Sequence, residues 1–309
     1  MVEVPSGSGE TFDEIWQLAS MESVSASTNS HRVGIVTVSF RSRDAILELL
    51  ASIPGAATCP VEVIVVDNVP GGDAELAASL EGTTARIVSR PDNPGYGGGV
   101  NAGVAALRAD TNWVFVVNPD VTLDAGVVDE LIRVGLTDPA IGSLGPRIRD
   151  TDGEIYPSAR AIPSLRLGVG HALLGDLAPT NPWTRRYHQF SDYDTQRDAG
   201  WLSGACVLIR REAFDSIGGF DDDFFMYFED VDLGYRLARN GWRNVFVPSA
   251  TVEHEGGHST RNHSTAMIQA HHASARRWIG KRYSGLAWLP VRVVVVAGLR
   301  LRQVLVSRR

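Results

Sequence analysis

Residues 61–68 read VEVIVVDN and residues 113–120 read WVFVVNPD, two apolar runs that each end directly in polar residues. Runs of this kind, without polar alternation, are typical of strands that are buried on both faces of a sheet. A similar run covers residues 33–38, and the intervening segments carry apolar residues at helical spacing. Because strands and helices alternate, we predict an α/β fold with a mostly parallel, Rossmann-like sheet covered by helices on both faces.

The remaining elements follow from the same periodicities. We predict further strands at residues 86–88, 206–209 and 244–247, and helices at 43–53, 72–80, 97–107, 124–134 and 230–240. Residues 150–200 are rich in Pro, Arg and aromatic residues and give no clear assignment. Ligands of parallel sheets lie beyond the carboxyl ends of the strands. The sequence places four polar side chains at such ends: Asp67, Asn68, Asn118 and Asp120.

Composition divides the 309 residues into three parts. Residues 1–31 are polar and Ser-rich, which predicts an N-terminal extension, and residues 32–257 form the expected folded domain. We find no secretory leader and no apolar run long enough to span a bilayer. The two cysteines, Cys59 and Cys206, lack the spacing of metal ligands, so we expect buried, reduced thiols and a cytoplasmic protein.

The third part, residues 258–309, is basic. No Asp or Glu follows Glu255, whereas ten Lys or Arg residues do, although the whole chain has a net charge of −7. Trp, Leu and Val residues alternate in blocks with these cations, which predicts an amphipathic region at an anionic membrane surface. A helix packed on the domain, or on a homodimer partner, explains the same pattern. Nucleic acid is not an expected partner, because the tail has no recognised module and the body is acidic.

The sequence FEDVDLGYR at residues 228–236 contains three acidic residues close together and directly follows four apolar residues. Helix capping explains acids at a helix start, and Asp232 with Arg236 could be an ordinary surface pair. Capping explains Glu229 and Asp230 less well, because the aromatic residues before them would draw both acids towards a pocket wall. A carboxylate there can accept the proton of an attacking hydroxyl, so we predict that Asp230 and Glu229 are catalytic.

Asn118-Pro119-Asp120 is a candidate metal-binding turn. A single Asp can hold Mg²⁺ or Mn²⁺ when a bound diphosphate supplies further oxygen ligands, although a simple turn uses the same residues. His254 follows the last predicted strand and is a candidate second metal ligand, the alternative being a hydrogen-bonded structural histidine.

Residues 95–103 read GYGGGVNAG and open a predicted helix, where glycines allow a ligand to approach the backbone closely. Gly97, Gly99 and Ala102 also match the dinucleotide fingerprint of dehydrogenases. That fingerprint must follow the first strand directly, whereas here residues 90–94 intervene after the third. Residues 201–205, WLSGA, could form a sugar platform around Trp201, although core packing is an equal alternative.

Six ordered motifs together resemble the inverting glycosyltransferases of family 2, which have the GT-A fold: VTVSF at 36–40, VVDN at 65–68, NPGYG at 93–97, NPD at 118–120, GWLSGA at 200–205 and FEDVDLGYR at 228–236. The resemblance implies a nucleotide-sugar-binding half at 32–150 and an acceptor-binding half at 151–257. It implies a donor site at Ser39, Asp67, Gly97, Asn101, Asn118 and Asp120, and an acceptor site at Trp201, Ser203 and Gly204. It further implies Asp230 as base, with Glu229 beside it, and Asp120 and His254 as metal ligands. Asn118 stands where the family's DXD motif has its first acid.

The NPGYGGGVN and NPD motifs are most similar to the actinobacterial rhamnosyltransferase branch of this family. This implies transfer of L-rhamnose from dTDP-L-rhamnose to N-acetylglucosaminyl-diphospho-decaprenol, a step in building the cell-wall arabinogalactan linker, at the inner face of the cell membrane. Another donor and polysaccharide acceptor, or a non-catalytic sugar-nucleotide-binding module, remain alternatives. A nucleotidyltransferase would carry a Gly-rich basic signature after the first strand, where this chain has SFRS at 39–42.

Overall fold

The computed structural model describes residues 31–163, 192–255 and 265–306. The predicted extension lies outside the described residues except for its last residue, as do residues 258–264 and 307–309 of the predicted basic region. The helices are α1 to α8: Arg43–Ala56, Ala74–Leu80, Gly95–Ala106, Val127–Gly135, Arg211–Ser216, Glu229–Arg239, Thr265–Arg282 and Leu289–Val306. The strands are β1 to β12: Val33–Ser39, Val61–Asp67, Ala85–Ser89, Trp113–Val117, Val121–Leu123, Ile141–Arg149, Ile155–Tyr156, Ala159–Arg160, Arg197–Ala199, Trp201–Leu202, Cys206–Arg210 and Arg243–His254.

One sheet runs through both halves of the domain in the order β3-β2-β1-β4-β11-β6-β12-β5. The first four strands are mutually parallel, and β12 is parallel to β6. β11 is antiparallel to both of its neighbours, β4 and β6, and β5 is antiparallel to β12. The predicted mostly parallel α/β sheet is therefore confirmed, with antiparallel strands inserted in its second half.

Helices cover both faces of the sheet. On one face, Ile46 and Leu49 of α1 and Leu131 of α4 pack against alternate side chains of β1 and β4. On the other face, Val100 of α3 and Leu233 of α6 pack against the side chains that point the opposite way. Each fully buried aliphatic side chain contributes about 1.5–3 kcal/mol, so these two layers supply most of the driving force for folding.

The glycines of α3 bring this helix into direct contact with the sheet. A Cβ atom on Gly103 would lie 2.4 Å from Cγ1 of Val36, and one on Gly99 would lie 3.0 Å from Val38. Because any larger residue would push the helix outward, the glycine run keeps the start of α3 close to the carboxyl ends of β1 and β2.

Several predicted boundaries are wrong, and two of them have a clear physical reason. The last strand was expected to end at Val247, but β12 continues to His254 through a register shift between Val247 and Thr251. Pro248 within it lacks an N–H donor, and such residues are accommodated at irregularities of this kind. The helix expected from Asp124 begins at Val127, because residues 121–123 form β5 and Gly126 adopts a left-handed conformation.

The C-terminal region is helical where it is described, as expected. α7 packs on the domain, and a short 3₁₀ turn, Leu286–Trp288, leads into α8. Among residues 31–163, 192–255 and 265–306, no helix has the length and apolarity needed to cross a bilayer. Cys59 and Cys206 are both buried and free, as their spacing predicted.

Candidate active site

The extended β12 places His254 beside Asp120. His254 pairs with Val121 across the β12–β5 ladder, and the N–H of Glu255 donates to the Asp120 carbonyl oxygen at 3.1 Å. As a result, His254 Nε2 lies 3.0 Å from Asp120 Oδ1, and both side chains are largely buried. A carboxylate and an imidazole thus converge on one point at the carboxyl end of the sheet.

Glu229 and Asp230 begin α6. Asp230 Oδ2 accepts the N–H of Gly204 at 3.1 Å, and Oδ1 accepts the N–H of Val231 at 2.8 Å. Glu229 is 7% exposed, and its Oε2 atom has no hydrogen-bond partner. Backbone N–H donors stabilise a carboxylate, whereas an unpartnered buried oxygen disfavours one.

Burial raises the pKa of both carboxyls. The pKa of Glu229 rises to about 8, because it is desolvated and because a charged Asp230 lies next to it. The pKa of Asp230 is also raised by desolvation, but the N–H groups of Gly204 and Val231 oppose this shift. The two N–H donors favour the charged form of Asp230, whereas Glu229, with a pKa of about 8, keeps its proton at neutral pH.

Tyr96 connects the two sides of the site, and sequence analysis missed it. Its hydroxyl donates to the Gly204 carbonyl oxygen at 2.6 Å. The pKa of this phenol is raised well above its usual value, first by burial and then by the negative charges of Glu229, Asp230 and Asp120. The segment at Gly204 and Ala205 brings the two clusters together, because the Gly204 N–H donates to Asp230 and the Ala205 carbonyl oxygen accepts the N–H of Asn118, two residues before Asp120. A lone aromatic residue within a glycine run was the available signal.

The loop before α6 is held in an unusual conformation. Tyr227 and Phe228 both have φ near 67°, in the left-handed region that residues with a Cβ rarely adopt. The N–H of Tyr96 donates to the Phe225 carbonyl oxygen at 2.8 Å, and a Cβ on Gly95 would lie 2.0 Å from the same oxygen. The glycine run of α3 is therefore needed for the close approach of this loop.

The other proposed donor residues differ in position. Ser39 and Asp67 end neighbouring strands, and both are buried. The Ser39 Oγ has no hydrogen-bond partner, whereas Asp67 accepts the N–H groups of Val69 and Asp73 and so closes its own turn. Asn118 is half-buried at the end of β4, two residues before Asp120, and its N–H donates to the Ala205 carbonyl oxygen.

Asn101 and Gly97, both on α3, contact Phe220. The Asn101 amide donates to the Phe220 carbonyl oxygen at 2.9 Å and to Asp222 Oδ1 at 2.8 Å, and accepts the Phe220 N–H. A Cβ on Gly97 would lie 3.0 Å from Phe220. Both residues anchor the loop that leads to α6. A cleft of about 500 Å³ follows this side of α3 and is lined by Arg90, Pro94, Gly98, Asn101, Ala102 and Asp222.

Of the predicted acceptor residues, Gly204 lies against Asp230, the predicted base. A Cβ there would lie 3.4 Å from the Tyr96 ring and 3.5 Å from Asp230. Ser203 is buried, and its N–H donates to the Ser158 carbonyl oxygen. The Trp201 indole donates to the Ala161 carbonyl oxygen at 3.0 Å, and the Arg160 guanidinium lies 5.6 Å from its ring centroid. Trp201 thus contributes to packing whether or not it also contacts a sugar.

The residues at this site fit a divalent cation that is shared with a diphosphate. Within the described ranges, no group of three or more His, Cys, Asp or Glu residues could hold a metal ion. Asp120 and His254 nevertheless supply one oxygen and one nitrogen ligand from a single point. Mg²⁺ and Mn²⁺ commonly complete such a set with water and substrate phosphates.

The buried position of Asp232 contradicts one interpretation of the acidic cluster. It does pair with Arg236, whose Nε lies 2.5 Å from Asp232 Oδ2, but its side chain is completely buried. The helix packs its Asp232 face inward, so the surface-pair interpretation is wrong.

Comparison with known proteins gives consistent matches. The model of the family described as "Glycosyltransferase like family 2" matches residues 31–280. An N-acetylglucosaminyl-diphospho-decaprenol L-rhamnosyltransferase of Mycobacterium tuberculosis is 41% identical over 283 residues, covering 89% of this chain and 92% of that protein. Rhamnosyltransferase WbbL of Escherichia coli K12 is 27% identical, covering 61% and 71%. A solved mannosyltransferase of Pyrobaculum calidifontis, in complex with GDP-Man and Mn²⁺, superposes with a TM-score of 0.54 at 15% identity, covering 88% of this chain and 70% of that one.

Proposed function

The chain belongs to glycosyltransferase family 2 and has the GT-A fold, and from this membership we propose that it transfers L-rhamnose from dTDP-L-rhamnose to N-acetylglucosaminyl-diphospho-decaprenol. The identity of 41% over nearly the whole length of the mycobacterial enzyme supports this donor sugar and acceptor. The observation that carries the chemistry is that one backbone segment links the two acidic clusters: the Gly204 N–H donates to Asp230, and the Ala205 carbonyl oxygen accepts the N–H of Asn118, two residues before Asp120.

Asp230 is the proposed base. Its carboxylate is oriented by two N–H donors, so one oxygen can accept the proton of the acceptor hydroxyl as that hydroxyl attacks the anomeric carbon. Attack from the face opposite the leaving diphosphate inverts the anomeric centre. Glu229, which stays protonated, keeps a second negative charge away from the base and presents a hydrogen-bond donor at the cleft wall.

Asp120 and His254 would hold Mg²⁺ or Mn²⁺, which supplies positive charge to the departing diphosphate when bound. Asn118 lies next to this position, and the unpartnered Ser39 hydroxyl lies at the nucleoside end of the same sheet edge. Since the chain offers two convergent ligands, we expect tight cation binding only in the presence of the donor.

The C-terminal helices are the proposed contact with the membrane that carries the acceptor. Leu286 is 87% exposed and Val294 is 71% exposed, and Leu289 and Val293 are also exposed. No acidic residue follows Glu255 in the sequence. Exposed apolar side chains among cations suit an anionic bilayer surface, which would place the enzyme at the inner face of the cell membrane. A homodimer would bury the same side chains and is the competing outcome of a binding test.

The direct test is incubation of the full chain with dTDP- and UDP-sugars and a prenyl-diphosphate-linked N-acetylglucosamine, with and without EDTA. We expect rhamnosylated lipid from dTDP-L-rhamnose only, and a loss of product with EDTA that Mg²⁺ or Mn²⁺ restores. Transfer from another donor would replace rhamnose in the proposal. Donor binding without transfer to any acceptor would favour a non-catalytic sugar-nucleotide-binding module.

A further inference from the structure

The loop at residues 220–228 packs against α7, which lies outside the sheet. The Ser274 hydroxyl donates to the Met226 carbonyl oxygen at 2.7 Å. Arg277 Nη1 lies 2.5 Å from Asp223 Oδ2. Trp278 is 3% exposed and packs in one apolar cluster with Phe224 and Val231. α7 thus contacts both the backbone and the side chains of this loop.

Lys281 makes the most central of these contacts. Its Nζ lies 2.5 Å from Asp221 Oδ2 and 2.7 Å from Asp232 Oδ1, and 5.7 Å from the centre of the Phe224 ring. It is the single lysine of the sequence, in which the other 28 of the 29 Lys and Arg residues are arginines. A lysine ammonium is a compact charge, so it can donate a hydrogen bond to Asp221 and at the same time form an ion pair with Asp232.

The two carboxylates belong to the two ends of the segment that carries the proposed base. Asp221 lies at the start of the loop, and Asp232 lies in the first turn of α6, two residues after Asp230. Asp232 is completely buried between Lys281 and Arg236. Removing one cation from a buried ion network leaves a carboxylate without sufficient compensation, which is strongly unfavourable. The network therefore joins both ends of the loop to α7.

The backbone conformation at the end of the loop indicates what its contact with α7 does. Tyr227 and Phe228 hold a left-handed conformation immediately before Glu229. Such conformations persist only where the surrounding contacts enforce them. The described contacts that enforce this one include Tyr96 of α3 and three residues of α7, namely His271, whose ring packs on the rings of Tyr227 and Phe228, Ser274 and Lys281.

We propose that Lys281 is a positioning residue, which holds the loop and the first turn of α6 against α7 and so fixes the Asp230 carboxylate in the cleft. This inference rests on the proposed function, because it assigns Asp230 as the base. It makes α7 a necessary part of the catalytic unit, although the α7 contacts named above reach the loop and Asp232 rather than Asp230 itself.

The test compares Lys281→Met with wild type and with Arg108→Met, which removes a cation from an exposed surface pair at the far end of α3. For Lys281→Met we expect kcat to fall about 10- to 100-fold, as for other small displacements of catalytic groups. The KM for dTDP-L-rhamnose should change less than kcat, because Ser39, Asp67 and Asp120 lie on other elements, although Asn101 and Gly97 contact Phe220 of this loop. Lys281→Arg keeps the charge and should recover part of the loss, and Arg108→Met should match wild type.

Amide hydrogen exchange of residues 220–233 is the second readout, and it does not depend on the reaction. Exchange there should quicken in Lys281→Met while the β1, β2 and β4 peptides keep their wild-type rates. Wild-type kcat, or unchanged exchange in this segment, would overturn the inference. If Lys281→Met does not fold, Asp221→Asn decides by the same two readouts, because it weakens one arm and keeps Asp232 paired. If wild type transfers no rhamnose, the proposed function fails, whereas the exchange result still tests the link.

Discussion

Substitution of Asp230 by Asn removes the proposed base with little change in shape. The Asn side chain keeps an oxygen that can accept the N–H of Gly204, so the first turn of α6 should keep its position. What is lost is an ionisable oxygen that can take a proton. Loss of a general base costs about 10²- to 10⁴-fold in turnover, which corresponds to about 2.7–5.4 kcal/mol of transition-state stabilisation.

The structure favours a value within this range rather than below it. The carboxylate is partly buried and is held by two N–H donors, so a water molecule that replaced it as proton acceptor would not be fixed in the same position. Glu229 holds its own proton at neutral pH, because the pKa of its carboxyl is raised, and is therefore a poor substitute base. The neighbouring residue should not rescue the variant.

The assay is transfer of radiolabelled rhamnose to prenyl-diphosphate-linked N-acetylglucosamine, with donor affinity measured separately by titration. Asp215→Asn, which changes an exposed carboxylate that pairs with Arg211, is the matched control. We expect wild-type donor affinity in both variants and lost turnover only in Asp230→Asn. If Asp230→Asn kept more than about a tenth of wild-type turnover, the base assignment would be wrong.

Three further outcomes are expected. The neutral form of Glu229 is favoured in the folded state, so the free energy of unfolding should fall as pH rises from the unfolded pKa of this carboxyl towards about 8. Glu229→Gln should therefore melt at a higher temperature than wild type at pH 8. Equal melting temperatures would contradict the raised pKa. His254→Ala should weaken Mn²⁺ binding, measured by electron paramagnetic resonance with dTDP present. It should also raise the Mn²⁺ concentration that gives half-maximal turnover about tenfold or more. If that Mn²⁺ concentration did not change, His254 would have only a structural role beside Asp120. Val293→Asp with Val294→Asp should abolish flotation with anionic vesicles, whereas Leu47→Asp, on the exposed side of α1, should leave it unchanged; a change in oligomeric state in place of flotation would identify a dimer surface.

Much of the catalytic domain follows from local sequence. The apolar runs that end at Asp67 and at Val117 predict buried strands, because a strand without polar alternation must be covered on both faces. The acidic residues of α6 predict a helix start, because carboxylates are favoured at the positive end of a helix. These inferences need only a few neighbouring residues, and the structure agrees with them.

Sheet order required the folded chain. β11 lies between β4 and β6 in antiparallel orientation, although about 90 residues separate it from β4 in the sequence. Local periodicity gives no information on which distant strands will pair. The same limit explains the length of β12, since its residues beyond Pro248 are held as a strand by their partners in β6 and β5.

The sequence alone thus determined the fold class, the family and the residues at strand and helix ends, because periodicity, turn chemistry and motif order are properties of adjacent residues. Tertiary structure alone decided that His254 meets Asp120, that Tyr96 donates to Gly204 beside Asp230, and that Lys281 reaches the buried Asp232. Each of these contacts joins residues that are between 49 and 134 positions apart in the sequence. Only the packing of helices on the finished sheet brings such residues into contact.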